Sequence, residues 1–456
     1  MKLEVIILAA GQGTRMKSEL PKVLHPVGGR PLLEHVIGAA QQLNPVALHV
    51  VIGHAGDQVR EALSAYPINW VEQQEQLGTG HAVAQALPAV AADSVVLVLY
   101  GDVPLTRVET LQRLVAAAHA GPALLTAELV DPTGYGRILR DATGALKAVV
   151  EHKDASPDEL LVREINSGLL ASPCRDLVAY LPRVKNHNQQ GEYYLPDVLA
   201  LAVAEGKSVA TCAAGSELEI LGVNDRVQLN AVEREYQLRQ AHAMLREGVS
   251  IADAARIDIR GSLACGQDVF IDVGVVFEGR VTLGRGVSIG ANCVLRDVKV
   301  EDGAMIHPMC HLQEVTVGPN CNVGPFARLR PGTVLAENSR VGNFVETKNA
   351  NIGAGSKINH LSYIGDCDMG ERVNIGAGTI TCNYDGANKH RTTIGPGVFV
   401  GSNSTLVAPL AIHEQGFIGA GSTVTKSVES GELAVGRARQ RNIPGWERPA
   451  KTSSGD

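Results

Sequence analysis

Aliphatic residues recur at every sixth position through most of the second half of the chain. These hexad positions run from Ile259 through Ile271, Leu295 and Ile306 to Val424, with occasional one-residue slips. A helix repeats its side-chain directions about every 3.6 residues and a strand about every 2, so neither explains this period. Short strands joined by corners do explain it. Three hexads then make one triangular coil, and stacked coils bury one aliphatic column on each face.

Two further features of the hexads support this interpretation. Gly often follows the aliphatic residue, as at Gly284 and Gly318, and a small residue often lies four positions after it, as at Cys293 and Ser339. Gly suits a corner whose backbone conformation other residues avoid. The pattern is the hexapeptide signature of a left-handed parallel β-helix. Aliphatic hexad positions are missing between residues 375 and 394, which predicts that a loop containing residues 381–386 replaces about one coil.

The first 225 residues alternate between strand-like and helix-like patterns. Apolar runs predict strands at residues 3–8, 46–52, 68–72, 95–99 and 123–129. Helical patterns lie between and after them, at residues 31–43, 57–65, 80–90, 108–118, 176–181 and 195–204, with a β-rich excursion at 135–150. This alternation predicts an α/β, Rossmann-like domain with a mostly parallel sheet and helices on both faces. Ligands should bind at the carboxyl ends of its strands.

A single long helix should join the two domains. Asn224-Asp225 can cap it, and Gly248 can end it. We therefore predict an α/β domain at residues 1–225, a linker helix at 226–248, and a β-helix domain with a polar, basic tail at 249–456. The last residues, 452–456, are expected to be disordered because they are polar and terminal.

Composition narrows the classes of partner and compartment. A hydrophobic content of 45% is ample for two cores, and a net charge of −7 argues against nucleic acid or an anionic membrane as the main partner. The apolar start is too short for a signal peptide, and no run approaches membrane-spanning length, so we expect a soluble, cytoplasmic protein. The eight cysteines form no CxxC pair, and we expect Cys293, Cys310 and Cys321 to fill the core.

A glycine-containing loop follows the first predicted strand. It reads Leu8-Ala9-Ala10-Gly11-Gln12-Gly13-Thr14-Arg15-Met16, and Lys22 follows shortly afterwards. Small residues let backbone N–H groups approach a nucleotide closely. The loop is neither the dinucleotide fingerprint, because Met16 stands at the third Gly, nor a Walker A loop. It could be only a tight turn, but Arg15 and Lys22 are two cations suited to a polyphosphate.

A carboxylate follows the predicted strand at residues 95–99. Tyr100-Gly101-Asp102 ends that strand, in the same cleft as the glycine-containing loop. Mg²⁺ takes hard oxygen donors and phosphate oxygens, so Asp102 is a candidate ligand, although it could merely cap the next helix. Asn224, after the apolar residues 220–223, would supply a second oxygen.

Several motifs together resemble a known family. The Leu-Ala-Ala-Gly-x-Gly-Thr-Arg-Met loop, the following Pro21-Lys22, and the segments 76–82, 151–154 and 164–166 resemble sugar-1-phosphate nucleotidylyltransferases. With the β-helix, nearly the whole chain resembles the family of bacterial bifunctional N-acetylglucosamine-1-phosphate uridylyltransferase/glucosamine-1-phosphate acetyltransferases. The resemblance implies UTP, acetyl-CoA and Mg²⁺ as co-substrates and cofactor, a cytoplasmic homotrimer, and a role in peptidoglycan and lipopolysaccharide synthesis.

The resemblance also implies roles for residues of the first domain. Arg15 and Lys22 would be catalytic, by positioning groups and neutralising charge as the sugar phosphate attacks the α-phosphate of UTP. Asp102 and Asn224 would bind Mg²⁺. The expected uridine-nucleotide and N-acetylglucosamine contacts are Leu8, Ala9, Ala10, Gly11, Lys22, Gln73, Gly78, Thr79, Tyr100, Gly101, Asp102, Gly136, Glu151, Asn166 and Asn224.

Residue spacing and the resemblance point to a second site on the β-helix. Arg330 and Lys348 stand about one coil apart and could cradle a phosphate, although a solvated charge pair has the same spacing. His360 lies on an outward position, where a plain surface histidine is the simpler interpretation. The resemblance instead implies that His360 is the base that takes a proton from the attacking amine of glucosamine 1-phosphate.

The same resemblance assigns the remaining contacts of the second site. Glucosamine 1-phosphate would contact Arg330, Lys348, Tyr363 and Asn374. Acetyl-CoA would contact Ala377, Asn383, Tyr384, Ser402, Ala420 and Arg437. Two rivals remain at this point: a single-activity nucleotidylyltransferase whose β-helix only trimerises or regulates, and a non-catalytic sugar-nucleotide sensor. The His360/Tyr363 pair and the Asn383-Tyr384 loop disfavour the first, and the metal ligands disfavour the second.

Overall fold

A computed structural model describes residues 2–11, 13–53 and 55–449. Residues 452–456, for which the sequence predicts disorder, lie outside the described residues. The chain forms two compact units, and the boundary between them falls after Gln240. Among the described helices, none is long and apolar enough to cross a bilayer.

The first unit is organised around a mostly parallel sheet, as the sequence predicts. Its strands are β1 (Lys2–Ala9), β2 (Pro26–Val27), β3 (Arg30–Pro31), β4 (Ala47–Ile52), β5 (Asn69–Glu72), β6 (Ser94–Tyr100), β7 (Ala123–Glu128), β8 (Arg137–Arg140), β9 (Leu146–Val150), β10 (Glu164–Pro173) and β11 (Ala210–Ala213). The strand order is β11-β7-β10-β6-β1-β4-β5. β10 runs antiparallel to β6 and β7, and the other neighbours along this path are parallel.

Helices cover both faces of this sheet because its central strands are apolar on both faces. Val5, Ile7 and Ala9 of β1 belong to one buried cluster, and Ile6 and Leu8 belong to another. Continuous apolar runs of this kind are typical of parallel strands with two covered faces. The helices are α1 (Leu32–Gln41), α2 (Gly56–Ala62), α3 (Thr79–Ala86), α4 (Val108–Ala117), α5 (Pro157–Leu160), α6 (Cys174–Tyr180), α7 (Asp197–Ala204) and α8 (Arg226–Arg246).

Two strands of the sheet escaped the sequence analysis. β10 contains Asn166, Ser167 and Gly168, which interrupt its apolar pattern, and its pairing with β7 shifts register between Asn166 and Leu170. β11 is short and half-exposed, so it carries little hydrophobic signal. The strand pattern therefore fails where polar residues and a register shift interrupt a strand, and where a strand is short and partly exposed.

The predicted long helix is α8. The Asp225 carboxylate caps it by accepting a hydrogen bond from the backbone N–H of Gln228 at 2.9 Å. Val232 lies in a core cluster of the first unit, whereas Ala241 and Met244 lie in the core of the second. The three-part division at residues 225 and 248 stays a prediction.

The second unit is a parallel β-helix, which confirms the interpretation of the hexads. The hexad positions named above are buried, and they stack in register, as in the pairs Ile289–Ile306 and Val323–Val341. Its strands begin with β12 (Ser250–Ile251), β13 (Ile257–Cys265), β14 (Phe270–Ile271), β15 (Val275–Leu283), β16 (Ser288–Ile289), β17 (Val294–Arg296), β18 (Lys299–Val300), β19 (Met305–Ile306), β20 (His311–Gln313), β21 (Thr316–Val317), β22 (Asn322–Val323), β23 (Arg328–Leu329) and β24 (Val334–Leu335).

The coils continue to the start of the tail. Their strands are β25 (Arg340–Asn343), β26 (Glu346–Ile352), β27 (Lys357–His360), β28 (Tyr363–Met369), β29 (Asn374–Ile375), β30 (Ile380–Cys382), β31 (Thr392–Ile394), β32 (Phe399–Val400), β33 (Thr405–Val407), β34 (Leu410–Ile412), β35 (Phe417–Ile418), β36 (Thr423–Val424) and β37 (Leu433–Ala434). Cys293, Cys310 and Cys321 are buried and unpaired, as core residues.

One expectation about the coils is wrong. No coil is replaced after Ile375, because Thr381 is buried on β30 and continues the hexad pattern. The Thr381 hydroxyl accepts a hydrogen bond from the N–H of Gly365 at 2.7 Å, which satisfies its polar group inside the coil. The aliphatic hexad pattern does not mark this position, because a threonine occupies it in place of an aliphatic residue. The insertion is shorter and consists of residues 383–391, which we call the coil loop.

Candidate active sites

A cavity of about 470 Å³ opens at the carboxyl ends of β1 and β6. Ten of the residues expected to contact the nucleotide line it, namely Leu8, Ala9, Ala10, Gly11, Lys22, Gln73, Gly78, Thr79, Tyr100 and Asp102. The sequence analysis missed Gln76 and Glu192, which also line it. Gln76 belongs to a quoted motif, but nothing in the sequence around Glu192 marks it.

The glycine-containing loop brings Lys22 to this cavity. Gly13 has φ +63°, a left-handed conformation that favours glycine. A Cβ on Gly13 would lie 2.7 Å from the Cβ of Lys22, closer than two carbon atoms can pack. Gly13 is therefore needed both for the turn and for the close approach of Lys22. The structure of Gln12 lies outside the described residues.

Two cationic side chains and two side chains whose oxygens accept their hydrogen bonds meet beside the cavity. Lys22 donates hydrogen bonds to the carboxylate of Asp102 and, at 3.3 Å, to Oδ1 of Asn224. Arg15 donates to the same Asn224 oxygen at 2.9 Å. The backbone holds the cluster together, since the N–H of Val223 donates to the carbonyl of Asp102 at 2.9 Å. The two proposed metal ligands and both expected catalytic cations thus lie in one cluster.

Gln73 and Gly78 help to fix the conformation of the loop before α3. Gln73 is buried, and its amide donates to the carbonyl of Gly78 at 3.2 Å. Gly78 has φ +110°, and a Cβ there would lie 2.7 Å from the carbonyl oxygen of Tyr193. The Thr79 hydroxyl accepts from the N–H of Leu195 at 3.0 Å. These bonds fix the loop that forms one wall of the cavity.

Gly136, Glu151 and Asn166 form a neighbouring group. The N–H of Asn166 donates to the carbonyl of Gly136 at 2.9 Å, and a Cβ on Gly136 would lie 3.1 Å from a carboxylate oxygen of Glu151. Glu151 lines a second cavity of about 310 Å³ rather than the first. Tyr194 and Asp197, which no motif marked, also line this second cavity.

Charge is concentrated around the second cavity. Burial raises the pKa of Glu151, and the carboxylates of Asp197 and Asp154 raise it further. Burial and the Asp154 carboxylate likewise raise the pKa of Asp197 to about 6. The hydroxyl of Tyr194 is buried without a protein partner among the described residues. These groups place hydrogen-bond acceptors and a donor around the cavity.

The β-helix carries its own cluster of cations. Leu329 and Thr347 are partners in register, so Arg330 and Lys348 are neighbours in successive coils, as their spacing predicts. Arg330 pairs with Glu346 at 2.9 Å. The sequence analysis missed Lys389 of the coil loop, because the loop only approaches Lys348 in the folded protein. Lys389 and partial burial lower the pKa of Lys348.

His360 lies at an exposed corner next to this region of the β-helix. Its Nδ1 is 3.1 Å from Oδ1 of Asn343, its partner in register one coil earlier. An amide oxygen accepts hydrogen bonds, so in a neutral imidazole this contact favours the tautomer with the proton on Nδ1 and the lone pair on Nε2. That tautomer would leave Nε2 free to accept a hydrogen bond. Asn343 was not anticipated, since its role depends on coil stacking.

The other expected sugar-phosphate contacts lie on two faces. Tyr363 begins β28, and its ring lies over Gly365, the register partner of Lys348. Asn374 lies on β29, in a different sheet from Arg330, Lys348 and Tyr363. Asn374 thus lies on the neighbouring face of the β-helix.

Three of the expected coenzyme contacts form a strip along the coils. Ala377, Ser402 and Ala420 each lie two positions after residues that stack in register. The Arg437 guanidinium closes the strip by donating to the carbonyl of Ala420 at 2.6 Å. Asn383 and Tyr384 lie in the coil loop, Asn383 buried and Tyr384 exposed.

Sequence comparison identifies the class of protein. Residues 5–159 match the MobA-like NTP transferase domain, and residues 265–297 match the bacterial transferase hexapeptide (six repeats). A nucleotidyltransferase domain is thus followed by hexapeptide coils of the acyltransferase type. The chain is a two-domain transferase.

Relatives that match over their full length identify the family. The chain is 56% identical over 450 residues to a protein of Marinobacter nauticus, covering 98% of this chain and 99% of that protein. It is 57% identical over 449 residues to one from Alkalilimnicola ehrlichii, covering 98% of this chain and 97% of that protein. A third, from Pseudomonas entomophila, is 56% identical over 452 residues, 99% of each chain. All three are named Bifunctional protein GlmU. The chain belongs to the GlmU family, which confirms the resemblance seen in its sequence.

The raised pKa of Asp197 predicts how Asp197→Asn changes stability with pH. The folded protein holds the Asp197 proton up to about pH 6, whereas the unfolded chain loses it near pH 4. Stability therefore falls as pH rises between these values, and the variant escapes this loss. We expect the variant to gain about 1 kcal/mol relative to wild type by pH 7, less than the full shift implies, because water screens the carboxylate.

Urea unfolding at a series of pH values measures this difference. Asp57→Asn is the matched control, because Asp57 is an exposed acid in the first turn of α2. The control should show a nearly constant difference from wild type. A constant difference for Asp197→Asn, or one that shrinks with rising pH, contradicts the prediction.

Proposed function

We propose that this enzyme makes UDP-N-acetylglucosamine in two consecutive reactions. The second unit transfers an acetyl group from acetyl-CoA to the amine of glucosamine 1-phosphate. The first unit then transfers a uridylyl group from UTP to the resulting N-acetylglucosamine 1-phosphate. The observation that carries the proposal is that each unit brings two cations together, Arg15 and Lys22 in the first and Arg330 and Lys348 in the second, as phosphate binding would require. Both co-substrates are cytoplasmic metabolites, so we place the enzyme there.

Uridylyl transfer needs charge neutralisation more than acid–base catalysis. An oxygen of the sugar phosphate forms a bond to the α-phosphorus of UTP as the bond to the departing pyrophosphate breaks. The attacking oxygen is already anionic, so no general base is required. Lys22 and Arg15 lie where they can hold the phosphates and balance the negative charge that builds up.

Asp102 and Asn224 have the chemistry to hold Mg²⁺. Their oxygen atoms converge on the ammonium of Lys22, which shows that this position already accommodates a cation. In the described residues no three His, Cys, Asp or Glu side chains form a metal site. Few protein ligands suit Mg²⁺, which commonly completes its shell with water and substrate phosphates. A bound Mg²⁺ would supply additional neutralisation of the phosphate charge.

Acetyl transfer requires a base. The amine of glucosamine 1-phosphate attacks the thioester carbonyl, a C–N bond forms, and the C–S bond breaks to release the CoA thiolate. The amine loses a proton in the process, and Nε2 of His360 carries the lone pair that can accept it. Arg330 and Lys348 would hold the sugar phosphate, while the strip from Ala377 to Ala420 suits the extended arm of the coenzyme.

A column of exposed apolar residues supports assembly as a homotrimer. Each of four successive coils has an exposed apolar residue at the same corner, three positions after a stacked hexad residue. These residues, which we call the corner column, are Met309, Phe326, Phe344 and Leu361. All four have positive φ, between +47° and +63°, which costs a bulky residue about 1–2 kcal/mol. Phe326 and Phe344 stack with their rings 5.3 Å apart. Exposure and backbone strain together favour a covering subunit, and three-sided prisms close with cyclic symmetry.

A single experiment tests the whole proposal. The protein is incubated with glucosamine 1-phosphate, acetyl-CoA, UTP and Mg²⁺, and each component is omitted in turn. UDP-N-acetylglucosamine should form only in the complete mixture, and N-acetylglucosamine 1-phosphate should accumulate without UTP. Product formation that does not need acetyl-CoA would remove the acetyltransferase from the proposal.

Replacing Asp102 should stop uridylyl transfer alone. Asp102→Ala removes a carboxylate from the cluster with Lys22 and Asn224, so we expect release of pyrophosphate to fall by at least about 100-fold. Acetyl transfer should stay near the wild-type rate because its residues belong to the other unit. Asp93→Ala, a change to an exposed carboxylate just before β6, is the control and should affect neither activity. An equal loss of both activities contradicts the assignment.

Replacing His360 should affect the rate of acetyl transfer. Loss of one positioned base typically costs about 10²–10⁴-fold, so His360→Ala should lower kcat by this factor and spare uridylyl transfer. Arg330→Ala should mainly raise the KM for glucosamine 1-phosphate, because it loosens the phosphate. Undiminished acetyl transfer by His360→Ala at neutral pH would exclude this base.

The corner column predicts the effect of charge on assembly. Phe344→Asp places a carboxylate in the proposed interface, so we expect sedimentation to show a trimer for wild type and dissociated subunits for the variant. Asn292→Asp is the control, because Asn292 holds the same corner position in an earlier coil without an apolar side chain. A wild-type protein that is an active monomer at assay concentration contradicts the trimer.

A further inference from the structure

Asp366 is a buried carboxylate in the second unit with no role in the assignments above. It is only 7% exposed, and it follows Gly365 on β28. The amide of Asn349, one coil earlier, donates to its Oδ1 at 2.6 Å. The amide of Asn383, at the base of the coil loop, donates to its Oδ2. The ammonium of Lys348 lies 3.8 Å from the same oxygen.

We propose that Asp366 is a positioning residue for acetyl transfer, holding the Lys348 ammonium toward the sugar phosphate and the Asn383 amide at the base of the coil loop. This inference rests on the acetyl transfer proposed above. Asp366 joins two parts of the site that are expected to bind different substrates. Lys348 belongs to β26, whereas Asn383 begins an insertion between two strands.

Burying a carboxylate is costly unless it is paired and hydrogen-bonded. Burial acts to raise the pKa of Asp366, but hydrogen bonds from Asn349 and Asn383 and the charges of Lys348 and Lys389 lower it overall. The carboxylate is therefore ionised at neutral pH, with each oxygen accepting a hydrogen bond. A negative charge retained at this depth indicates a specific requirement for it at this position.

The surroundings of Lys348 show what that requirement is. Arg330 from the preceding coil and Lys389 from the coil loop both repel its positive charge, and Asp366 is the carboxylate that opposes them. Glu346 instead pairs with Arg330. Without Asp366, the ammonium of Lys348 would face two cations and lose its proton at a lower pH. Phosphate binding that depends on this ammonium would then fail at a lower pH.

A second aspartate on the same strand, Asp368, supplies a matched control. Asp368 lies two residues further along β28 and also accepts from an asparagine one coil earlier, with Asn351 donating at 2.6 Å. Its cationic partner is Arg391, which is not among the proposed substrate contacts. Asp368→Asn therefore removes a similar bond between coils and weakens the hold on Arg391 at the far end of the coil loop, while the partners of Lys348 and Asn383 stay in place.

Binding of N-acetylglucosamine 1-phosphate measured by calorimetry across pH tests the proposal, because this product lacks an amine that titrates. In Asp366→Asn we expect binding about 10-fold weaker at neutral pH, the usual scale for losing a group that orients a binding residue. The alkaline loss of binding should begin at a lower pH than in wild type. Asp368→Asn should match wild type in both respects, and uridylyl transfer should be unchanged in both variants.

Other outcomes separate the possible failures. Equal losses in the two variants, or an unchanged pH profile in Asp366→Asn, would overturn the positioning role. If wild type binds the sugar phosphate but transfers no acetyl group, the proposed function fails rather than this inference. If Asp366→Asn does not fold, Lys389→Met replaces it, since Lys389 is exposed. Removing that cation should shift the alkaline loss of binding to higher pH, and no shift would overturn the proposal.

Discussion

Stacking of identical positions in successive coils is the constraint on which the second unit depends. Each coil is too small to bury its own hexad residues, so Ile289 is buried between Ile271 of the coil before it and Ile306 of the coil after it. The same stacking acts on polar residues. It places Asn343 beside His360, Arg330 beside Lys348, and Asn349 beside Asp366. Most of the expected site residues are brought together by this stacking, and the coil loop and Arg437 add side chains from outside the register.

The first unit reaches a comparable result by different means. Its cavity forms where parallel strands end at one edge of the sheet, so Asp102 at the end of β6 and Lys22 beyond β1 converge. Both units thus hold several positive charges close together. Clustered cations repel one another, and neighbouring oxygen atoms that accept their hydrogen bonds or carry negative charge reduce that repulsion. Asn224 and Asp102 do this for Arg15 and Lys22, and Asp366 does it for Lys348.

The sequence predicts whatever depends on a regular period. The hexad positions predict the β-helix and even the proximity of Arg330 and Lys348, and the strand pattern predicts that Asp102 and the glycine-containing loop share a cleft. The same reasoning fails where polar residues interrupt the repeating pattern. β10 was missed because Asn166 and Gly168 break its apolar pattern, and Thr381 was missed because a hydroxyl satisfied by Gly365 replaces the aliphatic residue. Asp197, Asn343 and Lys389 were missed because only the folded chain brings them to a site.

We propose that the two reactions occur at two separately built sites, one in each unit. Mixing the Asp102→Ala and His360→Ala enzymes tests it most directly. Each variant alone should fail to convert glucosamine 1-phosphate, acetyl-CoA and UTP into UDP-N-acetylglucosamine. The mixture should form the product after a lag, because one variant acetylates and the other uridylylates. A mixture that stays inactive, although each variant retains its remaining activity, would contradict the account.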